Sequence, residues 1–103
     1  MMNLVEFHQN IEQVWDSIEE QCDEQGADVD FERQGSVFTI TFADRSQIVI
    51  NKQEAMLELW LASRLGGLHF AWKEKDWVNS QGVRFWDALA QACAAHGERV
   101  EFA

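Results

Sequence analysis

A chain of 103 residues, 47% hydrophobic and 12% aromatic, suits a single globular domain, which we place at residues 1–103. Its 18 acidic and 8 basic residues give a net charge of −10. This charge argues against binding to nucleic acid or to an anionic membrane surface, because no run of Lys or Arg could neutralise phosphates. No apolar run reaches the roughly 20 residues of a membrane span, no secretory signal opens the chain, and Cys22 and Cys93 form no C-x-x-C pair. We therefore expect a cytoplasmic protein.

The first predicted element is a long helix over residues 3–25. Asn3 suits the N-cap position and Gly26 suits the residue after the helix end. Apolar side chains recur at steps of three and four residues, which defines one helical face. These residues are Leu4, Phe7, Ile11, Val14, Trp15, Ile18 and Cys22.

Strand patterns follow the helix. Apolar and polar residues alternate with a period of two, which indicates a sheet with one buried and one wet face. Turns are predicted at Gln34-Gly35, at residues 44–46 and at Gly66-Gly67. The predicted strands cover residues 28–33, 36–42, 47–53, 56–62, 68–73 and 76–78.

Helical spacing returns over residues 82–96, with Ser80 as a candidate cap and Gly97 as a candidate end. Residues 98–102 form a short extended tail. The order of helix, five or six antiparallel strands and helix predicts an α+β fold. We expect a two-layer α/β sandwich in which both helices cover one face of the sheet.

Negative charge is concentrated at the start of the chain, where ten carboxylates precede Arg33, the first cation. At about 100° per residue, Glu12, Asp16, Glu19 and Asp23 form one stripe, roughly opposite the buried face. His8 lies one turn before the stripe, which we expect to continue into the next strand. We call the following residues the acidic ridge: Glu12, Asp16, Glu19, Glu20, Asp23, Glu24, Asp28, Asp30 and Glu32.

Carboxylate oxygens select hard cations, such as iron(II), iron(III), manganese or calcium, over zinc or copper(I). Nothing in the pattern encloses such a surface site, so weak affinity and interchangeable ligands are expected. The ridge could equally attract a basic protein surface. An acidic helix taken alone is most often ordinary solvated surface.

Trp60 falls on the polar side of its strand, and Asn51 and Gln53 take the matching side of the preceding strand. A large aromatic side chain among amides on a wet sheet face often marks a contact surface. A single exposed tryptophan also occurs without any function.

Residues 48–70 resemble the signature of the frataxin family, and of its bacterial branch in particular. The family pattern is I-N-x-Q-x-P, then W-L-A, then G-G-x-H-F. The chain supplies it with Ile50, Asn51, Gln53, Trp60, Leu61, Ala62, Gly66, Gly67, His69 and Phe70. Further matches at Glu6–His8, Ile18–Glu20, Thr39–Phe42 and Phe85–Asp87 extend the resemblance over essentially the whole chain. Ala55 stands where the family has proline.

The resemblance implies a non-enzymatic protein of iron–sulfur cluster assembly. It implies weak binding of iron (Fe2+ or Fe3+) at the acidic ridge, with His8 and His69 as auxiliary ligands. It also implies association with the cysteine desulfurase and the scaffold protein, with Asn51, Gln53, Trp60 and Arg64 on the contact surface. In that family the protein regulates the rate of assembly or donates iron. We expect a monomer and leave open an oligomer that forms with iron.

Other functions stay open but are less favoured. A purely electrostatic interaction module would use the same ridge, with incidental metal binding. An iron oxidase would need an inward cluster of carboxylates and histidines, as in four-helix bundles, and the sequence offers a surface row instead. A protein that mimics DNA would leave Trp60 without a role.

Overall fold

The computed structural model describes residues 2–103 and confirms the predicted α+β sandwich. Its six strands form one antiparallel sheet in the order β1-β2-β3-β4-β5-β6, so that each strand pairs with its neighbours in sequence. Both helices contribute buried residues to the core that covers one sheet face. The elements are α1 (Leu4–Glu24), β1 (Val29–Gln34), β2 (Val37–Phe42), β3 (Gln47–Gln53), a 3₁₀ turn (Glu54–Met56), β4 (Glu58–Ser63), β5 (Gly66–Lys73), β6 (Asp76–Val78) and α2 (Phe85–Ala95).

Helix α1 begins and ends where the sequence indicates. The Asn3 side chain accepts a hydrogen bond from the Glu6 backbone N–H, and the Glu6 carboxylate accepts one from the Asn3 N–H. This capping box satisfies two backbone donors that the first turn leaves unpaired. Gly26, with a φ of 69°, provides the left-handed residue after the C-cap. Apart from the exposed Leu4, the predicted apolar face of α1 is buried.

The sheet has a core face and an outer face. On β2, Phe38, Ile40 and Phe42 are buried, whereas Thr39 and Thr41 between them are only partly buried. Ile48, Ile50, Leu59 and Leu61 extend the core face over β3 and β4. The alternation read from the sequence therefore predicts the faces of these strands correctly, and the outer face carries the predicted contact residues.

Three boundaries differ from the prediction by two residues or more. Met56 belongs to the 3₁₀ turn, so β4 begins at Glu58 instead of residue 56. The β4–β5 turn is formed by Arg64 and Leu65, and Gly66 and Gly67 are the first residues of β5. Helix α2 begins at Phe85 instead of residue 82, and Ser80 does not cap it. The Asn79 side chain instead accepts hydrogen bonds from the backbone N–H groups of Gln81 and Val83, which hold this segment in a turn.

The C-terminal tail packs back onto both helices. Val100 is buried, and the ring of Phe102 lies 5.4 Å from that of Trp86 on α2. The Gln25 side chain donates to the Glu101 carbonyl at 2.7 Å and accepts from the Glu101 N–H at 2.9 Å. The tail thus ties the end of α1 to the rest of the fold. In the part of the chain described, no helix combines the length and the apolar character needed to cross a membrane.

Both cysteines are buried and free. Burial, with a smaller effect of the nearby Glu98 charge, raises the pKa of Cys22 to about 11. The pKa of Cys93 rises to about 12, chiefly through burial and then through Cys22 and Glu98. Both side chains therefore act as small core residues and not as reactive thiolates.

Candidate functional site

Helix α1 carries the first six carboxylates of the acidic ridge, and two of them, Asp16 and Glu19, lie beside the edge strand β1. Arg33 of β1 reaches Asp16 and Glu19, which places the stripe on the flank of α1 next to the sheet. The expectation that the stripe lies opposite the buried face is therefore wrong. At ~100° per residue, the mean direction of the stripe differs from that of the buried face by only about 120°. This angle places the stripe on the flank of the helix.

The strand part of the ridge faces elsewhere. Asp30 pairs with Thr41 and Glu32 pairs with Thr39, and both threonines point to the outer face of the sheet. Directly paired residues share a face, so Asp30 and Glu32 also point outward. The predicted continuous stripe is thus divided by β1: its helical part lies on the side of α1, and Asp30 and Glu32 lie on the outer face with Trp60.

Arg33 forms the centre of the helical part. Its guanidinium lies 2.6 Å from Asp16 Oδ1 and 3.1 Å from Glu19 Oε2, and its Cζ atom lies 5.6 Å from the ring centres of both Trp15 and Phe38. Burial acts to lower the pKa of Arg33, but the hydrogen bonds and charges of the two carboxylates outweigh it and raise this pKa. The sequence places Arg33 next to Glu32 but gives no sign of this contact with the helix.

His8 and Glu12 belong to a second charged group, built around Lys52 of β3. Lys52 Nζ lies 3.0 Å from Glu12 Oε2, 3.2 Å from His8 Nδ1 and 4.8 Å from the ring centre of Trp15. His8 Nε2 lies 2.9 Å from Glu54 Oε1. Because an ammonium group only donates, Nδ1 accepts from Lys52, and Nε2–H donates to Glu54. Binding of a metal by His8 would break one of these hydrogen bonds.

The remaining ridge carboxylates are exposed, and none forms an ion pair within residues 2–103: Glu20, Asp23, Glu24, Asp28, Asp30 and Glu32. Glu20 and Asp23 line a shallow depression together with Asp16, Glu19 and Phe31. Such carboxylate oxygens suit a hard cation. Over the described range, no three Asp, Glu, His or Cys side chains stand assembled as a metal cage. The ridge can therefore offer oxygen ligands on an open surface.

The outer sheet face carries a row of three paired residues, Asn51, Trp60 and His69. Trp60 is 38% exposed, and its ring centre lies 5.9 Å from that of His69. Val49, Ala62 and Gly67 line a mostly apolar depression beside this row. Gln53, two residues after Asn51, pairs with Glu58 at the end of the row. Three of the four predicted contact residues thus share one surface.

Glu58 fixes the orientation of the Trp60 indole, a role that the sequence did not suggest. Trp60 Nε1–H donates to Glu58 Oε1 at 3.0 Å, and His69 Nδ1 lies 3.3 Å from the same oxygen. The signal that could have identified Glu58 is its spacing of two from Trp60, which places both on one face of β4.

Arg64 is not part of this surface. Its guanidinium donates to the Ala95 carbonyl at 3.1 Å and to Asp44 Oδ2 at 3.2 Å. Arg64 occupies the β4–β5 turn instead of a strand, so the alternation that places Trp60 outward ends before it. The structure therefore separates Arg64 from Asn51, Gln53 and Trp60.

Comparisons with known proteins give one consistent result. The sequence profile described as a frataxin-like domain matches residues 1–99. The chain is 77% identical over 101 residues to the iron–sulfur cluster assembly protein CyaY of Actinobacillus succinogenes, covering 98% of this chain and 99% of the relative. It is 69% identical to the protein of the same name from Haemophilus influenzae, covering 98% of this chain and 100% of the relative.

Solved structures agree with these sequence relatives. Frataxin from Psychromonas ingrahamii superposes with a TM-score of 0.91 at 34% sequence identity, covering 99% of both chains. Yeast frataxin gives a TM-score of 0.69 at 27% identity, covering 92% of this chain and 83% of the yeast chain.

Proposed function

Because the chain belongs to the frataxin-like family, we propose that it regulates iron–sulfur cluster assembly as a non-enzymatic protein that binds iron weakly at its acidic ridge. Relatives that cover the chain almost end to end are named iron–sulfur cluster assembly proteins. The observation that carries the proposal is the row of exposed carboxylates on α1 and β1, next to an outer face with an exposed tryptophan.

Iron is cargo in this proposal and not a resident cofactor. An open site with water on one side binds a cation weakly, because water screens the charges and competes with the carboxylates for the ion, and no cage holds it. Within residues 2–103, Glu20, Asp23, Glu24 and Asp28 have no cation to displace, so we assign the first iron to them. The same property would let the chain release iron to an assembly partner.

The proposed partners are the cysteine desulfurase and the scaffold protein. We propose that the chain binds them as a monomer in the cytoplasm. The ridge would steer a basic surface of one partner, since concentrated charge accelerates and orients association. Asn51, Gln53 and Trp60 would supply a second contact, in which the half-exposed indole is the anchor.

A second candidate is an electrostatic interaction module, in which metal binding is incidental. The feature that favours it is the occupation of Asp16, Glu19 and Glu12 by internal cations, which leaves fewer carboxylates for metal. The two candidates differ in whether iron changes the affinity for the partner.

Charge reversal at Glu19 and Asp23 tests the proposal. We expect the double variant Glu19→Lys/Asp23→Lys to lose desulfurase binding by at least tenfold and to weaken Fe2+ binding. The control Glu74→Lys/Asp87→Lys changes the net charge equally at exposed positions outside the ridge. Equal losses in both double variants would contradict a ridge-specific site. Desulfurase binding that is lost in the ridge variant but is insensitive to iron in the wild type would favour the interaction module.

A further inference from the structure

The acidic ridge already holds a cation of its own. Arg33 is the first basic residue after ten carboxylates, and β1 aims it at α1 and away from the outer face, because it pairs with the buried Phe38. Its guanidinium bridges Asp16 and Glu19, three residues apart on the helix. These two carboxylates are thus placed to hold a positive charge and are neutralised from within.

The position of the guanidinium is set in advance by apolar packing. Its planar group lies over the rings of Trp15 and Phe38, which are themselves stacked at a centroid distance of 5.5 Å. An arginine held on aromatic faces loses less freedom when its N–H groups bind carboxylates. Arg33 is therefore a stronger competitor for these oxygens than a mobile surface lysine would be.

Arg33 nevertheless remains able to leave. Its side chain is 35% exposed, whereas that of Lys52, which neutralises Glu12, is only 8% exposed. Release of Lys52 from Glu12 would leave a nearly buried ammonium group without its counter-charge, with only the neutral acceptor His8 Nδ1 and the Trp15 ring beside it, which is costly. Release of Arg33 only turns an accessible guanidinium toward water.

We propose that Arg33 is a tethered counter-cation that competes with metal ions for Asp16 and Glu19 and so limits both the affinity and the extent of cation binding on the ridge. This inference rests on the proposed function, which supplies the metal ion. A metal ion first meets Glu20 and Asp23, which line the same depression as Asp16 and Glu19. It gains Asp16 and Glu19 only when Arg33 leaves them, which favours ions of high charge density over monovalent ions.

Calorimetric titration with Fe2+ under anaerobic conditions tests the role of Arg33. The set comprises the wild type, Arg33→Gln, Arg33→Lys and the control Lys75→Gln. Lys75 is exposed in the β5–β6 turn and forms no ion pair within the described chain, so its loss matches the change in net charge without touching the ridge. Circular dichroism verifies that each variant is folded.

We expect Arg33→Gln to bind Fe2+ about 3- to 10-fold more tightly, the range that removal of one partly exposed competing ion pair allows. Arg33→Lys should fall between it and the wild type, because lysine keeps the charge but loses the planar guanidinium that reaches both carboxylates. Lys75→Gln should change the affinity less than twofold. Measurable Fe2+ binding in Arg33→Gln, with none in the other three proteins, would support the inference in its strongest form.

Equal affinities in Arg33→Gln and Lys75→Gln would overturn the role of Arg33 and leave the proposed function standing. No Fe2+ binding in any of the four proteins would overturn both, since removal of the internal cation would then have exposed no site.

Discussion

His96 shows how one residue ties three segments together. It is the only polar side chain buried in the described chain, at 6% exposure. Its Nε2 accepts the Arg64 backbone N–H at 3.1 Å, so the ring proton is on Nδ1, which donates to Ser46 Oγ at 2.7 Å. Ser46 in turn donates to Asp44. The neutral imidazole is therefore the form that this arrangement binds.

The first prediction follows from that protonation state. Burial lowers the pKa of His96 below 6.5, the charge of Arg64 lowers it further, and Asp44 opposes the shift. The stabilisation of the folded state by neutral His96 is therefore complete above about pH 6.5. It is lost as the pH falls through the lowered pKa of His96. Urea unfolding at pH 7.5 and pH 5.0 should show a smaller unfolding free energy at pH 5.0.

The variant His96→Gln isolates this effect, because glutamine does not titrate. The pKa of Asp44 is lowered to about 2, through hydrogen bonds from the Ser46 hydroxyl and backbone and then through Arg64, so Asp44 stays charged over this pH range. The variant should lose less stability than the wild type between the two pH values. An equal loss would refute the assigned role of His96.

Trp60 provides the second prediction at this scale. Its side chain lies on the outer face and is partly exposed, so Trp60→Ala should cost only about 1 kcal/mol of unfolding free energy, well below the 3–5 kcal/mol typical of a buried tryptophan. If Trp60 anchors a partner, the same change should weaken desulfurase or scaffold binding by at least about 30-fold. Trp77 is buried, so the comparison variant Trp77→Ala should show the opposite pattern, a large loss of unfolding free energy with little loss of partner binding. Unchanged partner binding in Trp60→Ala would remove Trp60 from the contact surface.

The C-terminal tail is the element whose role is least evident from the sequence. Val100 and Phe102 suggest only a short extended segment, yet the structure buries Val100 and joins Glu101 to Gln25 by two hydrogen bonds. Pairing of a side-chain amide with a distant backbone leaves no periodic pattern. The tail closes the core at the end of α1, where Cys22 is also buried.

The third prediction is that removal of residues 100–103 destabilises the protein by about 2–4 kcal/mol. Burial of a valine and part of a phenylalanine contributes most of this, and the two hydrogen bonds to Gln25 add about 1 kcal/mol each at most. Thermal and urea unfolding would measure the loss. The variant Gln25→Ala keeps the apolar contacts of the tail, so its unfolding free energy should fall by no more than about 2 kcal/mol. An unchanged unfolding free energy in the truncated chain would show that the tail does not support the core.

Elements with strong periodicity could be predicted well, and their junctions could not. The faces of α1, β2 and β3 follow from apolar spacing because burial acts on every third, fourth or second residue. The start of α2 and the β4–β5 turn depend on single side chains, such as Asn79, whose hydrogen bonds decide between helix and turn. The position of Arg64 was missed for the same reason, since the turn ends the alternation of β4.

At the scale of the whole molecule, the sequence predicts a concentration of negative charge but not its distribution in space. Arg33 and Lys52 come from β1 and β3 and neutralise Asp16, Glu19 and Glu12 on α1. These contacts depend on how the sheet packs against the helix, which no local pattern records. The resemblance to frataxins supplied the site residues, and the structure shows which carboxylates have internal partners.

The most direct test of the account is a two-dimensional NMR titration of the ¹⁵N-labelled chain with Fe2+ under anaerobic conditions, repeated with the cysteine desulfurase. We predict that iron broadens signals of Glu20, Asp23, Glu24 and Asp28 first, and those of Asp16 and Glu19 only at higher iron concentration. The desulfurase should perturb an overlapping set of ridge residues. Uniform broadening over the whole chain, or iron effects confined to residues outside 12–32, would contradict a metal-binding ridge.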